Sequence, residues 1–116
     1  MRRRYRDNER NVLFEVTDGR LVRTVVLPDG RSYVHRCTGE TFQAVAHAIE
    51  ERAAEGVTLD PLAKALDAPS TQVNVALEFL KERGCVVTRG RRNYPASDVL
   101  FEGAMTEFTF LADLPY

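Results

Sequence analysis

Residues 57 to 97 read VTLDPLAKALDAPSTQVNVALEFLKERGCVVTRGRRNYPAS, and this stretch decides the fold. Leu59, Leu62, Ala63 and Leu66 recur at helical spacing, and Thr58 stands where a capping oxygen satisfies a free backbone N–H. Asp67-Ala68-Pro69 ends that helix, because proline cannot extend it and pushes its predecessor out of the helical region. Ser70 is expected to cap a second helix over residues 70 to 83, whose Val73, Ala76, Leu77 and Leu80 form a stripe that must lie on something apolar. Gly84 supplies its stop. Cys85-Val86-Val87-Thr88 then reads as a short strand, and Arg89-Gly90-Arg91-Arg92-Asn93 as a polar turn before Tyr94-Pro95-Ala96-Ser97. The reading is a helix, a tight turn, a longer helix and a strand-turn-strand.

The pattern LA-x-x-L from Leu62, followed from Ser70 by S-x-x-V-x-x-x-L-x-x-L-x-x-x-G, resembles the winged helix-turn-helix family. The resemblance takes in residues 40 to 97. It implies an α+β fold with a three-helix core and a β-wing, the wing being the turn of Arg89 to Asn93. It says much less about function, since one fold serves many. The first helix of that core is expected over residues 38 to 56, with Phe42, Val45, Ala46, Ile49 and Ala53 inward, Glu50, Glu51, Arg52 and Glu55 in water, and Gly56 closing it.

Upstream the pattern changes to β. NVLFEV, LVRTVVL and SYVHRC are separated by Asp18-Gly19 and by Pro28-Asp29-Gly30, and Asp-Gly accepts the positive φ of tight hairpins. A three-stranded antiparallel meander follows, an added N-terminal β-hairpin unit. Leu21, Arg23, Val25 and Leu27 share one face and Val22, Thr24 and Val26 the other, so neither face is cleanly polar. Residues 1 to 11 carry Arg2, Arg3, Arg4, Arg6 and Arg10 and few apolar side chains; they are expected as a flexible basic arm, either solvated or lying along phosphates.

The chain has 116 residues, enough for one domain over residues 12 to 97 with its two extensions. Its 16 basic and 17 acidic residues argue against a protein that coats nucleic acid. The charge is uneven, however: residues 1 to 97 sum to +3, whereas residues 98 to 116 hold Asp98, Glu102, Glu107 and Asp113 with no Lys or Arg. This acidic tail is rich in apolar residues, with Phe101, Ala104, Met105, Phe108 and Leu111 at helical spacing, weakened by Gly103; residues 106 to 111 read equally as a strand. Side chains so apolar cover either this domain or a second copy, and a homodimer joined through tail and hairpin unit is expected. No apolar run approaches the ~20 residues of a membrane span, and Met-Arg-Arg-Arg-Tyr-Arg lacks a signal's apolar core, so a cytoplasmic location without membrane contact is expected.

Catalysis finds little support. His35 and His47 have no ligand-like partner spacing, Cys37 and Cys85 read as reduced thiols, and His35 with Cys37 on one strand face lacks two further metal ligands. No G-x-S-x-G, phosphate-binding glycine loop or paired-carboxylate motif occurs. Neither enzyme activity nor a metal or cofactor is expected. The case for double-stranded DNA rests on the second helix and the wing. Ser70, Thr71, Gln72 and Asn74 are the short polar side chains that reach phosphates and base edges from a helix N-terminus in the major groove, and Arg89, Arg91 and Arg92 would hold flanking phosphates. On a helical wheel Thr71, Val75, Glu78 and Glu82 lie farthest from the core stripe, and the two glutamates limit insertion to the first turns. A transcriptional regulator is the expected function. The alternative is a winged-helix module that binds protein through Val75 and Phe79 without DNA; a regulator with a small-molecule pocket is a third.

Overall fold

The computed structural model describes residues 3–7 and 10–113. Among these the chain forms four helices and two antiparallel sheets. A meander runs through β1 (Arg3–Asp7), β2 (Arg10–Thr17), β3 (Arg20–Val26) and β4 (Ser32–Thr38), paired in sequence order. Then follow α1 (Gly39–Glu51), α2 (Leu59–Leu66), α3 (Ser70–Glu82), the hairpin strands β5 (Val86–Arg89) and β6 (Arg92–Pro95), and α4 (Leu100–Ala112).

The meander has one strand more than the sequence suggested. Arg3–Asp7, expected as part of a flexible arm, pairs with β2 from Arg3↔Phe14 to Asp7↔Arg10. Arg2, also assigned to that arm, and Leu114, assigned to the tail, lie outside the described residues. Asp18 and Gly19 both adopt positive φ, 53° and 74°, as a two-residue hairpin turn requires. The second turn is longer: Leu27 N–H donates to Arg31 O at 2.8 Å, and only Gly30 has positive φ.

Register fixes which side chains share a face. Val16, Leu21 and Cys37 form one cross-strand row, Phe14, Arg23 and His35 the next, and Val12, Val25 and Tyr33 the third. All of these except the half-buried His35 and Tyr33 are buried. Arg23 lies among them with its Nε unpartnered among the described residues.

Helix α3 is the centre of the molecule. It touches α1 and α2 on one side and β3 and β4 on the other, so it lies between helices and sheet. Val73, Val75, Ala76, Leu77, Phe79 and Leu80 are all buried. The Phe79 ring meets Phe14 of the sheet at 5.4 Å and Phe42 of α1 at 5.8 Å, both edge-on. Val75 and Phe79 are therefore no open face: both have 0 % exposure, on a helix with β3 and β4 against it as well as α1 and α2.

The helix boundaries carry further corrections. Pro69, not Ser70, occupies the cap position of α3; it is extended (φ −60°, ψ 134°) and its carbonyl accepts from Gln72 and Val73 N–H. Thr58 caps α2 by position only, since its side chain makes no capping bond. Helix α1 stops at Glu51, short of the expected residue 56, and Thr38 caps it by accepting from Thr41 N–H. The stop at Gly84 is as expected: at φ 78° it lets Cys85 N–H reach Leu80 O and its own N–H reach Lys81 O. The tail resolves as a helix. Leu100, Ala104 and Leu111 of α4 pack inward on the same chain, against α1 and β2, and Arg83 Nε holds Glu107 Oε1 at 2.8 Å.

The buried Cys37 links fold and pH. Burial pushes its thiol from the ordinary 9.0 up to about 12. Above pH 9 the unfolded chain sheds a proton that the folded chain keeps, so stability falls as pH rises from 9 towards 12, by about 1.4 kcal/mol per pH unit. Urea unfolding at about pH 8 and about pH 10 is expected to show this loss, and Cys37→Ala to reduce it. Equal pH dependence in both proteins would exclude the thiol as its source.

Candidate nucleic-acid interface

The seven residues expected at a DNA surface fall into two groups. Ser70 and Thr71 are exposed at the start of α3. Gln72 and Asn74 are half-buried, and Gln72 is occupied: its Oε1 accepts from Thr38 N–H at 3.1 Å. Thr38 is the last residue of the edge strand β4, so the side chain proposed to read a base instead satisfies a sheet-edge donor. Gln72→Ala is expected to cost about 1 kcal/mol of stability by leaving that N–H bare, whereas exposed Thr71→Ala changes little. Denaturant titration of both variants checks this; a Gln72→Ala protein as stable as the parent would return the side chain to solvent.

Arg89, Arg91 and Arg92 form the second group, exposed together on the β5–β6 hairpin. None is in an ion pair among the described residues. Arg89 lies over the Tyr94 ring, 4.4 Å from its centroid, and Arg92 Nη1 donates to Glu55 O at 3.2 Å. The sequence reading missed Arg52. It follows α1 and, with Glu55, Thr58, Pro61 and Arg92, lines a cleft of ≈ 220 Å³. Its only sequence signal is its place just ahead of Gly56, where the chain doubles back to the hairpin.

That return is tightly built. Val57 and Asn93 exchange backbone hydrogen bonds at 2.9 and 2.8 Å, Asn93 Nδ2 also donates to Val57 O, and Thr88 Oγ1 donates to Asn93 Oδ1. Gly56, at φ 76°, sits where a Cβ would meet Tyr94 Cε1 at 2.8 Å. Backbone bonds and a close approach thus clamp the hairpin to the end of α1.

The two groups do not form one continuous patch. The α2–α3 turn, at Asp67 to Pro69, shares a cleft with Glu40 and Thr41 in the first turn of α1, whereas Arg89 and Tyr94 share one with Glu50 at its other end. The nine residue steps of helix from Thr41 to Glu50 set them about 14 Å apart.

Comparison with protein-family models, curated proteins and solved structures finds no match to this chain.

The remaining chemistry-bearing residues are dispersed. His47 is exposed and stacked on Phe101 at 3.7 Å, His35 is half-buried beside Tyr33, and no group of three or more metal-ligating side chains occurs among the described residues. No described helix is long and apolar enough to cross a membrane.

Proposed function

We propose that this chain is a winged-helix protein that binds double-stranded DNA through its hairpin wing, gripping phosphates with Arg89, Arg91 and Arg92 and with Arg52 beside them. The single observation that carries this reading is the exposed arginine cluster, in no ion pair among the described residues, on a hairpin clamped in place by the Val57–Asn93 bridge. The order α1, α2, α3 and hairpin, with the three helices in mutual contact, supports the winged-helix assignment. Regulation of transcription remains the role that fits such binding. The covered face of α3 changes how DNA is read. With Val75 buried and Gln72 bonded to Thr38, groove insertion is limited to Ser70 and Thr71, and phosphate contacts dominate over base contacts.

A labelled duplex of random sequence, titrated at low salt and followed by fluorescence anisotropy, tests the proposal. Binding in the micromolar range that weakens steeply with salt is expected. A flat titration would favour the second reading, a protein-interaction module without DNA. One observation speaks for that reading: Val99 and Phe110 of the tail are each 57 % exposed, beside acidic Glu102 and Asp113.

A further inference from the structure

The meander ends on an open edge. Strand β4 has β3 on one side and, among the described residues, no strand on the other. The Leu27–Arg31 hydrogen bond fixes the parity of the β3–β4 ladder, so Tyr33, His35 and Cys37 turn their backbone groups to β3. Ser32, Val34, Arg36 and Thr38 turn theirs outward. Thr38 N–H is satisfied by Gln72, which closes one end of the edge, and the loop at Asp29 and Gly30 closes the other. Between these ends the outward donors and acceptors of Ser32, Val34 and Arg36 have no backbone partner among the described residues. Val34, at the middle, is also a large apolar side chain left 39 % exposed. An open edge without proline or a bulge is a template for another strand.

We infer that this edge pairs with the β4 edge of a second copy, antiparallel and centred on Val34. The sequence is self-complementary in that register. Val34 meets its counterpart, Ser32 meets Arg36 in both directions, and on the other face Tyr33 meets His35. Every outward N–H and C=O of the three residues gains a partner. A slip of two residues, the smallest that keeps outward groups opposite outward groups, is worse in either direction: one sets His35 against His35, and the other leaves Arg36 without an outward partner. An acidic peptide would satisfy Arg36 but gains nothing at Val34, so the second copy is the better occupant. The two-fold axis runs perpendicular to the sheet, so both α3 helices flank one continuous sheet on the same face. Five paired residues make a small interface, well below the ~1,200 Å² of stable complexes, so the dimer forms reversibly with rising concentration. The inference does not depend on DNA binding.

Val34→Pro tests it in the full chain. Its N–H faces solvent in the single copy, where an edge strand tolerates proline, but is needed across the pair. Analytical ultracentrifugation of the parent at upper micromolar concentration is expected to show a dimer, and Val34→Pro to halve the mass with unchanged circular dichroism. Val34→Lys, which keeps the N–H but sets two ammonium groups face to face, is expected to dissociate the pair as well. Hydrogen exchange gives a second readout: the Val34 and Arg36 amides slow as the parent is concentrated. The inference is overturned by a parent that stays monomeric, by a dimer that survives both substitutions, or by amides that slow only when an acidic peptide is added.

Discussion

Replacing Val75 by Asp is expected to destabilise the protein by about 4 kcal/mol or more, a large share of the total stability of a domain this size. The side chain has 0 % exposure, on a helix that lies against β3 and β4 as well as against α1 and α2. A carboxylate there loses the valine's packing and is desolvated without a designed partner, and either term alone is costly. Thr71→Asp is the matched control. It adds the same charge four residues earlier, at an exposed position in a first turn that holds no acid, where the helix dipole favours it. Urea unfolding should therefore separate the two variants widely. Equal stability would mean that the sheet does not cover α3.

The triple change of Arg89, Arg91 and Arg92 to Ala is expected to flatten the slope of log affinity against log salt by roughly 2.7, or ~0.9 for each phosphate no longer neutralised. Between 50 and 200 mM salt that slope is worth about 40-fold in affinity, so the parent should weaken by that much more than the variant. The effect should be uniform across sequences, because phosphates carry no base identity. Fluorescence anisotropy on two unrelated duplexes measures it. The three side chains are exposed and make no ion pair among the described residues, so the variant should fold normally. A variant with the parent's salt slope would remove the wing from the interface.

Local signals were legible wherever one residue's backbone chemistry decides the outcome. Pro69 sets the α2–α3 turn, Gly84 ends α3, and Asp18-Gly19 makes its hairpin, all from neighbours in sequence. The caps of α2 and α3 and the end of α1 failed locally, but the expectations about the candidate site failed for want of long-range information. A helical wheel of α3 shows which side faces away from its stripe, but not that a sheet covers that side. A hint was present all the same: Val73, Val75, Ala76, Leu77, Phe79 and Leu80 spread over more than half of the α3 wheel, wider than the stripe a single packed face needs. Strand β1 escaped notice because its five residues, RRYRD, hold no alternating apolar pattern; backbone pairing to β2 makes the strand. Of the candidate site, the hairpin arginines were legible as a charge run on a turn. Gln72 was not, since nothing near it in sequence announces Thr38.

Gly56 has no side chain to offer a phosphate, yet it governs the arginines proposed to do so. A methyl group there would displace Tyr94, and Arg89 rests on that ring. The hairpin is held in place before any ligand arrives, so little chain entropy is surrendered on binding. Affinity then depends on alignment as well as on charge, and the alignment is set at an uncharged position in the connection that follows α1.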